Sequence, residues 1–149
     1  MADEINCVNN MKQLALAIKM YEGDYGMFPS DRWCDTLLVD IGLRAESSTN
    51  ITTIFRCPTA SKKQRSSYAM NRNLVGIKDN DKISPETVLL FESDAGWNAT
   101  GGPEIATARH YGPSLSVGLV DGSVERIELK DIGNLRWNPY TNTPSGAGK

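Results

Sequence analysis

The sequence predicts an α+β fold: a long N-terminal helix packed on one face of an antiparallel β-sheet meander. Three observations predict it. From Asp3 to Tyr25, the residues Ile5, Val8, Met11, Leu14 or Ala15, Ile18, Tyr21 and Tyr25 recur every three to four positions, the spacing of one helical face. Short β-rich runs follow at Ser67–Asn71, Thr87–Ser93 and Ser114–Leu129, the last interrupted by Asp121-Gly122. Helical patterns come first and strands afterwards, with no alternation of the kind that builds a parallel sheet.

In chain order, the first helix spans about residues 3–25. Asp3 and Glu4 lie where the helix dipole favours anions, and Asn9, Asn10, Lys12, Gln13, Lys19 and Glu22 form its wet face. Gly23 and Gly26 weaken it and Pro29 forbids its continuation. Ser30 is expected to cap a second helix carrying Trp33, Leu37, Leu38 and Ile41, ended by Gly42. Residues 45–54 read as a loop or edge strand. Cys57 precedes Pro58 and is therefore extended. Thr87–Ser93 is the most apolar run of the second half and predicts a central strand. Leu14, Ile18 and Tyr21 should meet Leu89, Phe91, Leu119 and Val124, with Leu89 and Phe91 on one face. Asp121-Gly122 predicts a type I′ turn with Leu119 opposite Val124. One domain covers 1–149, with sheet and loops over 30–129 and a loosely packed tail over 130–149.

Composition narrows the function classes. Sixteen Lys and Arg against 18 Asp and Glu give a net charge of −2, which suggests neither nucleic acid nor an anionic membrane as partner. Three cysteines are too few for a disulfide scaffold, and one histidine excludes a multi-histidine metal site within the chain. No apolar run is long enough to span a bilayer.

The block Cys7-x-Asn9-Asn10-Met11-Lys12-Gln13, followed by Tyr21 and by Tyr25-Gly26-x-Phe28-Pro29, resembles the region just after the membrane segment of type IV pilin-like proteins. It is most similar to the prepilin-type group of planctomycetes, verrucomicrobia and lentisphaerae. Phe55-x-Cys57-Pro58 and Ser67-Tyr68-x-x-Asn71 resemble the same group. So does Arg109-His110 followed by Asp121-Gly122, the His…Asp-Gly element of its processing-associated domain, here one residue longer than the family spacing.

The resemblance implies a pilin-like fold and a structural role as a pseudopilin-like subunit of a type II secretion pseudopilus or a type IV pilus-like filament, not an enzyme. Its partners would be other pilin or pseudopilin subunits, met through the N-terminal helix, and the inner membrane, met through a preceding segment of about 25 hydrophobic residues, long enough for a bilayer core of about 30 Å. That segment, with a prepilin cleavage signal before it, is expected in the native protein. The precursor would be anchored in the inner membrane and the mature head would lie in a periplasmic or cell-surface filament. The chain as it stands is expected to be soluble and at most weakly associated, with Ile5 and Val8 more exposed than Leu14 and Ile18. The exported setting permits a disulfide. The expected pair is Cys34 with Cys57, leaving Cys7 unpaired.

Other chemistries compete. His110 with Asp121 and Ser114 or Ser116 invites a triad, but nothing resembles a nucleophile elbow and Asp121 is explained by its turn. His110 is expected instead to fix where the final hairpin begins. Asp79, Asp81, Glu92 and Asp94 are candidate calcium ligands, calcium being the one cofactor considered, against a reading as solvated turn acids. Among Trp33, Trp97 and Trp137, Trp97 is the candidate sugar-stacking surface. It motivates the rival reading: a cell-surface carbohydrate- or ligand-binding module on a pilin-type stalk. Asn50 and Asn98 match the glycosylation acceptor pattern, read as coincidence.

Overall fold

The structure is a computed structural model and describes residues 2–44, 54–58, 65–78, 82–110 and 112–140. Helix α1 runs Ala2–Tyr25. Of the row visible in the sequence, Met11, Leu14, Ala15 and Ile18 are fully buried, Tyr25 is 60% exposed, and Cys7, outside that row, is fully buried with them. Ile5 is 62% exposed and Val8 is half-buried, so both are more open than Leu14 and Ile18. Gly26 ends the helix. It adopts φ +73°, and its N–H returns to the Glu22 carbonyl at 2.8 Å, which only an unbranched backbone does cheaply. No described helix is long and apolar enough to cross a membrane.

Helix α2 runs Trp33–Arg44, past Gly42, which weakens a helix without stopping it. Its cap also differs from expectation. The Ser30 hydroxyl accepts only the Arg32 N–H, at 3.3 Å. The first-turn N–H groups of Cys34 and Asp35 are taken instead by the Asn98 side-chain oxygen, at 2.8 and 3.1 Å, from more than sixty residues away. Asn98 closes the link by donating to Asp35 Oδ2 at 2.7 Å, and holds φ +62° to do so. Asn98→Ala is expected to cost about 1–2 kcal/mol in urea unfolding, whereas Ser30→Ala should cost much less. The reverse ranking would restore Ser30 as the cap.

Five strands form one sheet: β1 (Tyr68–Asn71), β2 (Val88–Glu92), β3 (Thr100–Gly101), β4 (Ser114–Leu119) and β5 (Val124–Glu128), in spatial order β3-β1-β2-β4-β5. With α1 packed on one face, this is the expected α+β arrangement on a mostly antiparallel sheet. It is not a pure meander. After β2 the chain crosses to the far side of β1, where β3 pairs parallel, and then returns so that β4 lies beside β2.

Two registers depart from a strict alternation. A bulge between Val88 and Leu90 breaks the period of two. As a result Leu89 and Leu90 join the core under α1, while Phe91 and Leu119 join a second core on the opposite face. At the hairpin, Val124 pairs with Gly118 and not with Leu119. Gly122 has φ +91° and donates to the Leu119 carbonyl, while Asp121 keeps a negative φ. The turn is thus a three-residue loop with glycine in the left-handed position, not a type I′ turn.

The second core explains the far end of the chain. Of the tail expected to be loose over 130–149, Ile132, Leu135 and Trp137 pack on this core, and residues 141–149 lie outside the described residues. Ile132 is buried and Trp137 meets Phe91 edge-on at 5.2 Å. Asn71, fully buried at the end of β1, donates to the carbonyls of Val88 and Trp137 at 2.8 and 2.9 Å. Both faces of the sheet are therefore covered, which is why β2 and β4 are buried along their whole lengths.

Candidate functional site

Beneath the first turns of α1 the helix-facing side of the sheet turns polar. Tyr68 of β1 pairs with Glu92 of β2, and Ser116 of β4 lies beside it. Gly118 on β4 lets the helix come this close: a Cβ there would lie 3.3 Å from Met11 Cγ.

Cys7 and Cys57 close this region with a disulfide, Cα–Cα 4.9 Å. The expected Cys34–Cys57 bond is thereby corrected, and so is the expectation that Cys7 is unpaired. The reason is local. The extended Phe55–Pro58 unit is tied to α1 through Asn10, whose Nδ2 donates to the Arg56 carbonyl at 2.8 Å. The Cys57 N–H donates to Ser67 Oγ at 2.8 Å, and Tyr68 Oη donates to the Cys7 carbonyl at 3.3 Å. Cys34 points elsewhere: its sulfur accepts the Asn98 N–H, and burial pushes its thiol up to about 12.

Against the disulfide sits a buried charge cluster. Glu92 is fully buried. Its Oε1 meets His110 Nε2 at 2.9 Å and accepts from Arg109 Nε at 3.1 Å, and its Oε2 accepts the Ser116 N–H at 2.6 Å. Arg109 also donates to the Ser67 carbonyl and pairs with Asp94 at 2.8 Å. His110 Nε2 is 3.9 Å from Cys57 Sγ, whereas its Nδ1, equally buried, has no hydrogen-bond partner. Nε2 is thus the ring atom shared with Glu92, and Nδ1 is the one without a partner. The backbone of His110 exchanges hydrogen bonds with Ser114, so the residue does open the final hairpin as expected. Burial also holds the Tyr68 phenol well above its ordinary value.

Burial is also the largest influence on Glu92. It raises the carboxyl above its ordinary 4.5 against the downward pull of Ser116, His110 and Arg109. A raised carboxyl pKa means the folded chain holds the proton more tightly. Glu92 therefore stabilises most below its unfolded value, and that contribution is lost as pH rises through the folded value. Glu92→Gln does not titrate there. The melting temperature of the parent minus that of Glu92→Gln is expected to fall as pH rises from the ordinary carboxyl value of 4.5 through the raised folded value. A difference that is flat or grows would mean that Arg109 and His110 outweigh burial.

The other candidate residues are placed as follows. Glu92 and Asp94 converge on the Arg109 guanidinium, which already supplies their cation, while Asp79 and Asp81 lie outside the described residues. The triad does not assemble: Asp121 sits at the hairpin tip, its Oδ1 bonded to Ser123, at the opposite end of β4 from His110. Ser114 Oγ accepts from Arg126 Nε. Trp33 is buried. Trp97 packs on Phe55 at 4.9 Å, carries Arg65 over its ring at 4.0 Å and donates to Asp35, so it presents no bare stacking platform. Trp137 belongs to the opposite face of the sheet. Asn98 spends its amide on α2, and Asn50 lies outside the described residues.

Residues quoted from separate sequence blocks thus meet in space: Cys7 and Asn10 from the first, Cys57 from the second, Tyr68 from the third, and Arg109 and His110 from the last. Glu92 is the member that belongs to none of those blocks. Its signal was a carboxylate directly after the buried run Val88–Phe91, a place where an unpartnered charge is costly.

A family model described as "Protein of unknown function (DUF1559)" matches residues 4–42, which covers α1 from its first turn and most of α2. That family is typical of pilin-like, prepilin-type proteins. No curated protein and no solved structure matches the chain.

Proposed function

We propose that the protein is structural: the head of a pilin-like, pseudopilin-type subunit that assembles through its N-terminal helix, with no catalytic role. The observation that carries this reading is the two-sidedness of α1. One face is sealed on the sheet, while Ile5, Leu16 and Met20 stand 62%, 60% and 40% exposed along the rest of it. The prepilin-type family match falls on this same helix. In this reading an apolar segment ahead of α1 anchors the precursor in the inner membrane, head outward, and after cleavage bundles with those of other subunits in a type II secretion pseudopilus or type IV pilus-like filament.

The test uses the full-length native gene. The expected result is an inner-membrane precursor that a prepilin peptidase shortens and that crosslinks to other subunits. Leu16→Glu with Met20→Glu is expected to weaken the crosslinking while the head keeps its melting temperature. A full-length protein that stays in the cytoplasm unprocessed would overturn the reading.

A further inference from the structure

We infer that the pocket closed by the Cys7–Cys57 disulfide is also a four-ligand site for a thiophilic divalent ion such as Zn²⁺, open to metal when the disulfide is reduced. The ligands are the Cys7 and Cys57 sulfurs, His110 Nε2 and a Glu92 carboxylate oxygen. All four residues are buried and their ligand atoms lie within 4.8 Å of one another. Two thiolates, one imidazole and one carboxylate are the donor types a tetrahedral zinc ion takes. With Zn–S of about 2.3 Å and Zn–N or Zn–O of about 2.1 Å, a tetrahedron sets its S···N edge near 3.6 Å and its N···O edge near 3.4 Å. Here Cys57 Sγ to His110 Nε2 is 3.9 Å and His110 Nε2 to Glu92 Oε1 is 2.9 Å. Those edges need shifts of about half an ångström or less. The remaining edges, all within 4.8 Å, must come to about 3.6 Å, and the sulfurs must open to about 3.8 Å, which only reduction permits.

The chemistry balances in two steps. A dithiol or phosphine reductant delivers two electrons, and with two protons the disulfide becomes two thiols. The ion then displaces both thiol protons to solvent, together with the carboxyl proton when Glu92 carries one, and takes the Nε2 lone pair in place of the Nε2–Glu92 hydrogen bond, with the imidazole proton on Nδ1. That atom has no partner in the disulfide form, so no hydrogen bond breaks there. Arg109 and the Ser116 N–H keep Glu92 oriented, as outer hydrogen bonds do for metal ligands. Disulfide and metal are thus alternative closures of one site, the first for an oxidising compartment and the second for a thiol-reducing one. This inference stands independently of the filament role.

The test titrates Co²⁺ anaerobically into the whole chain reduced with a phosphine, followed by Zn²⁺ competition. The expected result is one ion per chain, with the intense visible bands of tetrahedral cobalt and a sulfur-to-cobalt charge-transfer band, both lost in Cys7→Ser. Glu92→Gln and His110→Ala should weaken binding by more than the roughly 10–100-fold that loss of an outer partner costs. Cys34→Ser should bind like the parent, and the oxidised chain should not bind. If reduction loosens the fold, Zn²⁺ is expected to restore it, read by near-ultraviolet circular dichroism and melting temperature. The inference is overturned by an octahedral cobalt spectrum, by equal binding in Cys7→Ser, or by a reduced chain, folded or not, that Zn²⁺ neither binds nor stabilises.

Discussion

Cys57→Ser is expected to lower the stability of the oxidised protein by about 4 kcal/mol. The bond spans a sequence separation of 50, and the chain-entropy model assigns a loop of that size about 4 kcal/mol. For a chain of this length the melting temperature should fall by roughly 8–16 °C. Cys7→Ser should do the same, because either change removes the same bond. Cys34→Ser removes no bond and should cost roughly 1 kcal/mol for its buried site. Reductant separates the pairings most sharply. The melting temperatures of the parent and of Cys34→Ser should drop on reduction, while those of Cys7→Ser and Cys57→Ser should not move. Peptide mapping that joins Cys34 to either of the others would refute the pairing.

Trp33→Ala is the second large effect, expected at about 3–5 kcal/mol. The indole is fully buried, packs at 6.2 Å from Phe55 and donates from Nε1 to the Ala99 carbonyl at 2.8 Å. It therefore joins the start of α2, the unit that carries Cys57, and the entry to β3. The cost comes mainly from the cavity, since the Ala99 carbonyl keeps a second bond from the Met70 N–H. Trp33→Phe retains most of the ring and loses the N–H, so roughly 1–2 kcal/mol is expected. Guanidinium melts with unchanged slopes check both. A small effect for Trp33→Ala would mean that α2 packs independently of the loop before β3.

What was legible in the sequence was what period and turn chemistry encode. The middle of the row, Met11 to Ile18, named the buried face of α1, its ends Ile5 and Tyr25 stand exposed, and Asp121-Gly122 marked the hairpin. Local pattern cannot encode which distant partner a residue meets. Asn98 caps a helix that begins 65 residues earlier, so Ser30, the neighbour with the right chemistry, was a reasonable but wrong choice of cap. The bulge in β2 is a single inserted residue with no composition of its own, yet it moved Phe91 to the other core. Residues 130–140 read as polar and loose because their packing rests on three side chains, Ile132, Leu135 and Trp137. The disulfide was misassigned because three cysteines allow three pairings, and the choice depends on how the Phe55–Pro58 unit lies along α1. Glu92 looked like a turn acid because nothing near it in sequence, only His110 and Arg109 further on, gives a buried carboxylate its partners.

The position of the disulfide also fixes how a pulling force would travel through the molecule. In the proposed filament role the load enters at the end of the helix, and the covalent link lies at Cys7, in the second turn of α1. Force entering at the N-terminus passes through the sulfurs to Cys57 and on into the sheet. The rest of α1 and the whole of α2 lie off that covalent path. Stretched end to end, the oxidised chain would release less contour than the reduced one, by roughly 165–180 Å for 50 residues at 3.3–3.6 Å each. The bond thus acts as a covalent bypass that keeps the residues between Cys7 and Cys57 out of the extension.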